Sequence, residues 1–320
     1  MARPVCPARG AAEQTHIVNR RVQVLPRRVR KVSPFMSMES SSSGIAPACV
    51  RRVALDALCL SEPAAKAARV RALHDALRAG QATIAPSLAL PEPADLPGRP
   101  ARPPLVEPRQ LQRRSMRSPE GRAVLLHALA HIEFNAINLA LDAVWRFAGQ
   151  PDAFYADWLK VAAEEAYHFT LLSDRLAAFG HAYGDFPAHN GLWEMCERTK
   201  GDVLARMALV PRTLEARGLD ASPPIRARLV QAGDDASAAI LDVILRDEIG
   251  HVAIGNRWFR HLCDAAGRDP VPTYRQLAGQ YHAPRLRGPF NVDARRDAGF
   301  EQAELDELAA QDAADAHAAR

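Results

Sequence analysis

The sequence predicts an all-α protein with a four-helix bundle at its centre. Three observations carry this. Ala, Leu and Arg dominate, β-branched residues are sparse and aromatics make up 6% of the 320 residues, a composition that favours helix over sheet. Apolar residues recur at helical spacing through long stretches free of Gly and Pro between about residues 118 and 266. Within those stretches lie two Glu-x-x-His steps, Glu165–His168 and Glu248–His251, each with a further glutamate upstream: Glu133 by 32 residues and Glu215 by 33.

Size and charge set the class. With 48% apolar side chains the chain can bury a substantial core in one or two domains. The net charge of +4 is modest, and the first 40 residues hold eight Arg/Lys against two Glu. The rest is near neutral, so composition makes no case for nucleic acid or membrane. The five cysteines are scattered and never form a C-x-x-C pair, which points to reduced thiols in a cytosol rather than a disulfide framework. No run of about 18 apolar residues is read, so no transmembrane helix is expected.

Taken in order, residues 1–48 are Arg-rich, lack an apolar signal-peptide core and end in Ser40-Ser41-Ser42-Ser43-Gly44. They read as an unpacked extension, with a transit peptide or a translation start at Met36 or Met38 as the alternatives. Residues 49–117 hold one helix, Ala54 to Leu77, and then a proline-dense strap or linker from Ala85 to Pro108. Ser118-Pro119-Glu120 opens the first bundle helix, which runs to Phe147. Gly149-Gln150-Pro151 is a turn, and the second helix spans Asp152 to Phe179. The third covers Leu192 to Arg217, kinked at Pro211 and capped by Gly218. A fourth restarts at Ser222, hesitates at Gly233-Asp234 and ends near Ala266. Residues 267–320 read as a loop-like wrap to about 300, then a helical tail.

A spacing of three puts Glu and His of each step on one helix face. The midpoint between Glu133 and the Glu165/His168 step falls on the Gly149–Pro151 turn, so a hairpin brings them to one depth. Ala130, Ala136, Ile137 and Ala140 share the side of Glu133; Val161 and Leu172 that of Glu165; Leu241, Ile244 and Gly255 that of Glu248. Carboxylates on apolar faces must be protonated, paired or metal-bound. The second hairpin is less regular, and Glu194 and Glu197 compete with Glu215 as the third-helix ligand. Four carboxylates and two imidazoles (Glu133, Glu165, His168, Glu215, Glu248, His251) suit hard ions: two Fe, with Mn or mixed Mn/Fe as alternatives. Two bridging carboxylates would hold the pair and leave positions where O2 can bind and be reduced. Asp247 is a candidate to orient a ligating histidine. Glu164 reads as a surface acid, and His127, His131, Tyr167 and Trp258 read as structural.

These motifs resemble the di-iron carboxylate pattern of the ferritin-like superfamily. The wider wording, with His131-Ile132-Glu133, Phe154-Tyr155-x-Asp157-Trp158-Leu159, Glu164-Glu165-Ala166-x-His168-Phe169, Leu214 to Asp220 and Asp247-Glu248-Ile249-Gly250-His251-Val252, resembles the bacterial family called domain of unknown function 455 over roughly residues 50–300. The resemblance implies a ferritin-like bundle and no particular reaction. Leu214-Glu215-Ala216-Arg217 is also similar to the third-helix segment of a tRNA-modifying hydroxylase, which favours Glu215 and admits RNA as a substrate by analogy only. The function expected is a di-metal oxidoreductase using O2 or peroxide on an unknown substrate. It would be cytoplasmic, fed by an external electron donor because no dinucleotide or flavin fingerprint is present, with no membrane partner and with a homodimer compatible. Alternatives are iron storage, a tRNA-hydroxylase-like enzyme and a metal-free helical interaction module.

Overall fold

Helix dominates wherever the chain can be followed. The structure, a computed structural model, describes residues 48–111 and 114–318, so the expected N-terminal extension lies, but for Ala48, outside the described residues. A two-residue strand β1 (Ala48–Cys49) pairs in parallel with β2 (Ala82–Thr83). Between them are α1 (Val50–Cys59) and α2 (Pro63–Arg78), where the sequence suggested one helix. The break has a local cause: Pro63 opens α2 and the Glu62 carboxylate accepts from the Ala64 N–H at 3.0 Å, a cap that starts a new helix rather than continuing an old one.

The proline-dense segment is a strap with one 3-10 turn at Pro108–Gln110. Two buried cations fasten it. The Arg51 guanidinium donates to the Val144 and Trp145 carbonyls at 3.2 and 2.6 Å and to Pro86 at 2.9 Å. It thereby satisfies carbonyls that the end of a helix leaves without partners. Lys66 donates to Leu58, Gly98 and Asn138 at 3.1, 2.9 and 2.5 Å. Gly98 is required there, since a Cβ would fall 2.1 Å from the Cys59 carbonyl oxygen.

The helix that Arg51 caps is α3 (Pro119–Arg146), and it is followed by α4 (Asp152–Ala177). Ser118 caps α3 through the Gly121 N–H at 3.0 Å. In the turn, the Tyr155 hydroxyl accepts from the Gln150 N–H at 3.1 Å and donates to the Phe147 carbonyl at 2.8 Å. By length and composition α3 could cross a membrane, yet most of its apolar window is buried against protein. Leu126, Phe134, Ile137 and Leu141 of α3 meet Phe154, Leu159, Val161 and Leu172 of α4 in the core. Each such side chain contributes about 1.5–3 kcal/mol on burial.

The third expected helix is four pieces: α5 (Gly191–Arg198), α6 (Val203–Leu209), a π-helical segment (Val210–Glu215) and α7 (Ala216–Gln231). Gly218 is not its cap. α7 passes through Gly218, Pro223 and Pro224, and the Leu219 carbonyl, which Pro223 cannot serve, accepts from Asn291 Nδ2 at 3.2 Å. α8 (Asp235–Ala265) therefore begins later than Ser222, with Asp234 capping the Ser237 N–H at 3.1 Å. The expected C-terminal loop holds two helices, α9 (Pro270–Gln280) and α10 (Val292–Asp297), ahead of the tail helix α11 (Gln302–Ala318). α3 packs along α4, α4 along α8, and α8 against α6, the π segment and α7.

Candidate metal centre

Three long helices and the π segment carry the carboxylates and histidines. Glu133 comes from α3, Glu165 and His168 from α4, Glu248 and His251 from α8, and Glu215 is the last residue of the π segment. Glu133, Glu165, His168 and Glu248 are all buried and offer ligand atoms within 4.8 Å of one another. This cluster could hold a metal ion. His168 Nδ1 lies 3.2 Å from Glu133 Oε2 and 3.4 Å from Glu165 Oε2. On the other side, His251 Nδ1 lies 3.0 Å from Glu165 Oε1 and 3.8 Å from Glu248 Oε1. Glu165 therefore stands between two imidazoles, facing each with one oxygen.

Glu215 is partly exposed as a residue, but its Oε2 is buried and has no hydrogen-bond partner. Burial, and then the charges of Glu248 and Glu165, raise its pKa well above the usual carboxylate range. The rival acids lie elsewhere: Glu194 is exposed on α5, and Glu197 pairs with Lys200 at 3.4 Å.

The outer nitrogens of the two histidines show a crossed arrangement. His168 of α4 donates from Nε2 to Asp247 of α8 at 3.0 Å, while His251 of α8 donates from Nε2 to Glu164 of α4 at 2.9 Å. Each acid directly precedes a glutamate of the cluster on its own helix and serves the histidine of the other. With Nε2–H committed outward, each imidazole presents Nδ1 to the cluster. The sequence marks Glu164 as a surface acid, whereas the fold sets it against the buried His251. Its signal was the parity of Glu164-Glu165 with Asp247-Glu248.

Burial and charge settle the protons. Burial opposes the charged form of His168, but hydrogen bonds to Asp247, Glu133 and Glu165 outweigh it and push its pKa up to about 12. His251 is likewise raised against its burial, by the Glu165 charge and the bond to Glu164. Glu165 is held well below the carboxylate range although burial works the other way, because His251 and His168 face it. Burial and then the Glu165 charge raise Glu133 and Glu248. Without a metal, the cluster thus favours protonated histidines around an ionised Glu165.

Other titratable groups stand apart from it. His127 Nε2 accepts from the Gly184 N–H at 2.9 Å, and His131 bonds the Tyr183 hydroxyl at 2.9 Å and the His189 carbonyl at 3.0 Å. Trp258 donates to Asp157 at 2.8 Å. Tyr167 is 43% exposed. A cavity of about 250 Å³ lies against Val124, Ala128, His131 and Ile132 of α3. By helical phase those positions face away from Glu133, so this cavity is not the cluster's vestibule.

A family model described as "Protein of unknown function (DUF455)" matches residues 59–306, a span that holds every one of these ligand candidates. The chain belongs to DUF455. An uncharacterized protein of Haemophilus influenzae, similar to this DUF455 chain, is 51% identical over 214 residues, which is 65% of this chain and 74% of that one. No solved structure matches the chain.

Proposed function

We propose that this DUF455 protein is a ferritin-like di-metal carboxylate oxidoreductase that uses O2 or peroxide. The observation that carries the proposal is a convergence of buried ligand-type atoms: Glu133, Glu165, His168 and Glu248 offer atoms within 4.8 Å of one another, and Glu248 Oε2 and Glu215 Oε2 have no hydrogen-bond partner. Buried polar groups left unpaired cost about 1–3 kcal/mol each. Four carboxylates buried near two imidazoles, on a framework of three long helices, fit cations better than a salt-bridged core. The donor set is oxygen-rich with two nitrogens and no sulfur, which suits Fe or Mn.

Glu165, with one oxygen toward each imidazole, would serve both ions; Glu133 and His168 would help hold one, and Glu248, His251 and Glu215 the other. When bound, the ions would supply the redox chemistry for reduction of O2 or peroxide. The protein's own part is to place and discharge protons. His168 and His251 give up the Nδ1 proton on loading and keep the Nε2 proton, held by Asp247 and Glu164. Arriving positive charge would favour the ionised forms of Glu133, Glu215 and Glu248, against the burial that raises their pKa values. The substrate is unidentified. Electrons come from an external donor, and the cytoplasm is the proposed compartment.

The test is metal analysis of protein purified and reconstituted without oxygen, with Mössbauer or EPR spectroscopy. About two ions per chain, with spectra of a coupled pair, are expected. Fewer than about 0.2 ions per chain would end the proposal.

A further inference from the structure

The ligand candidates do not rest on equal footings. Glu133, Glu165, His168, Glu248 and His251 project from long regular helices. Glu215 closes a π-helical segment, whose widened turn depends on packing from outside for its shape. That packing comes from the C-terminal part of the chain. Arg212, three residues before Glu215, is buried among the rings of Phe259, Tyr274 and Phe300 at 4.9, 4.7 and 5.1 Å. Its Nε donates to Asn256 Oδ1 at 2.8 Å, and its Nη2 pairs with Glu304 of α11. Asn256 in turn donates to the Ala298 carbonyl at 2.8 Å. Just beyond Glu215, Arg295 of α10 grips Asp220 of α7 at 2.6 and 3.0 Å. On the inner side, Pro211 sits where a Cβ on Gly255 would be.

We propose that Arg212 and Glu304 are positioning residues for Glu215, so that the C-terminal helix α11 governs occupancy of one metal position and not the other. The inference rests on the two-metal reading above. The position made by Glu133, Glu165 and His168 is preformed and fills first. The position completed by Glu215, Glu248 and His251 fills second, and only while the Arg212–Glu304 pair holds the π segment in place. A buried arginine stripped of its only carboxylate partner among the described residues retains its stacking but not its fixed direction, and the displacement is passed three residues on to Glu215.

The test is an EPR-monitored titration of the full chain with Mn(II), comparing wild type, Glu304→Ala, Glu304→Gln and Glu215→Ala. Melting curves of the metal-free proteins run alongside. Wild type is expected to take up two ions and show the spectrum of a spin-coupled pair. Glu304→Ala keeps the first ion at wild-type affinity and binds the second about ten- to a hundredfold more weakly. At low Mn(II) it therefore gives the signal of isolated ions, as Glu215→Ala does. Glu304→Gln retains an acceptor for Arg212 and restores part of the coupling, a rescue that general loosening of the fold would not produce; if Glu304→Ala melts early, this variant carries the test. A coupled pair formed by Glu304→Ala at wild-type Mn(II) concentrations overturns the inference, as does equal weakening of both ions. A wild-type protein that binds no Mn(II) overturns the two-metal reading instead.

Discussion

Two glycines five residues apart on α8 permit a controlled measurement of how tightly the π segment is packed. A Cβ at Gly250 would meet nothing within 4 Å, whereas one at Gly255 would lie 2.6 Å from Pro211 Cβ and 2.7 Å from Pro211 Cγ. Glycine to alanine inside a helix stabilises by about 0.5–1 kcal/mol through backbone entropy. Gly250→Ala should show that gain. Gly255→Ala has the same gain and a clash besides. Restoring an ordinary carbon contact of about 3.6 Å requires Pro211 to retreat by about 1 Å. Overpacking of this kind costs about 1–3 kcal/mol. The helical term is common to both variants, so their difference isolates the packing term and should be about 1–3 kcal/mol in favour of Gly250→Ala. Urea denaturation of the metal-free proteins, monitored by circular dichroism, reads it as a lower midpoint at an unchanged slope. Equal midpoints for the two variants would show that the π segment yields freely to its neighbour, and the reasoning about Glu215 would lose its foundation.

The electrostatics of the cluster predict that metal uptake strengthens with pH. His168, with its pKa pushed up to about 12, holds a proton that loading must expel, and His251, Glu133 and Glu215 are shifted in the same direction. Log K for Mn(II) should therefore climb with a slope of about two or more between pH 6 and 8, and a flat profile by calorimetry would contradict the assignment. Asp247→Asn replaces a charged acceptor of His168 by a neutral one, so the His168 pKa in the metal-free protein should fall from about 12; nitrogen NMR of the imidazole measures it, and an unchanged titration would refute the pairing. Lys66→Met strips a donor from the Leu58 and Gly98 carbonyls and from Asn138. It should destabilise the fold by at least about 1–3 kcal/mol and speed limited proteolysis of the strap near Gly98, with wild-type cleavage rates counting against that role.

Much of the architecture could be read in advance because its signals are local. Ser118-Pro119 and Gly149-Pro151 mark helix ends with caps and turns that act within four residues, and the Glu-x-x-His steps fix helix faces by spacing alone; Gly233-Asp234, read as a hesitation, is a full break between α7 and α8. The misreadings have two origins. A single helix through Pro63 and a loop after Ala266 both overlook prolines that start helices behind acidic caps, Pro63 behind Glu62 and Pro270 behind Asp269. Gly218 and Pro223-Pro224 looked like a helix end because their remedy is distant: Asn291 supplies the hydrogen bond that Pro223 cannot, from 68 positions along the chain. The π segment is of the same sort, held by Gly255, Asn256, Phe300 and Glu304, none of them near it in sequence. At the site, spacing found the ligand candidates but not the partner of His251, since Glu164 meets it only once α4 and α8 are side by side.

The crossed hydrogen bonds between α4 and α8 also act as a register gauge. A helix shifted by one residue moves each side chain about 1.5 Å along its axis and about 100° around it. Such a slip parts His168 from Asp247 and His251 from Glu164 in the same motion, leaving two buried imidazoles without their outer acceptors. The two bonds therefore discriminate among near-native alignments that the alanine-rich faces of these helices, with little relief in their side chains, would separate only weakly. Polar residues usually regarded as serving chemistry here also carry information about assembly.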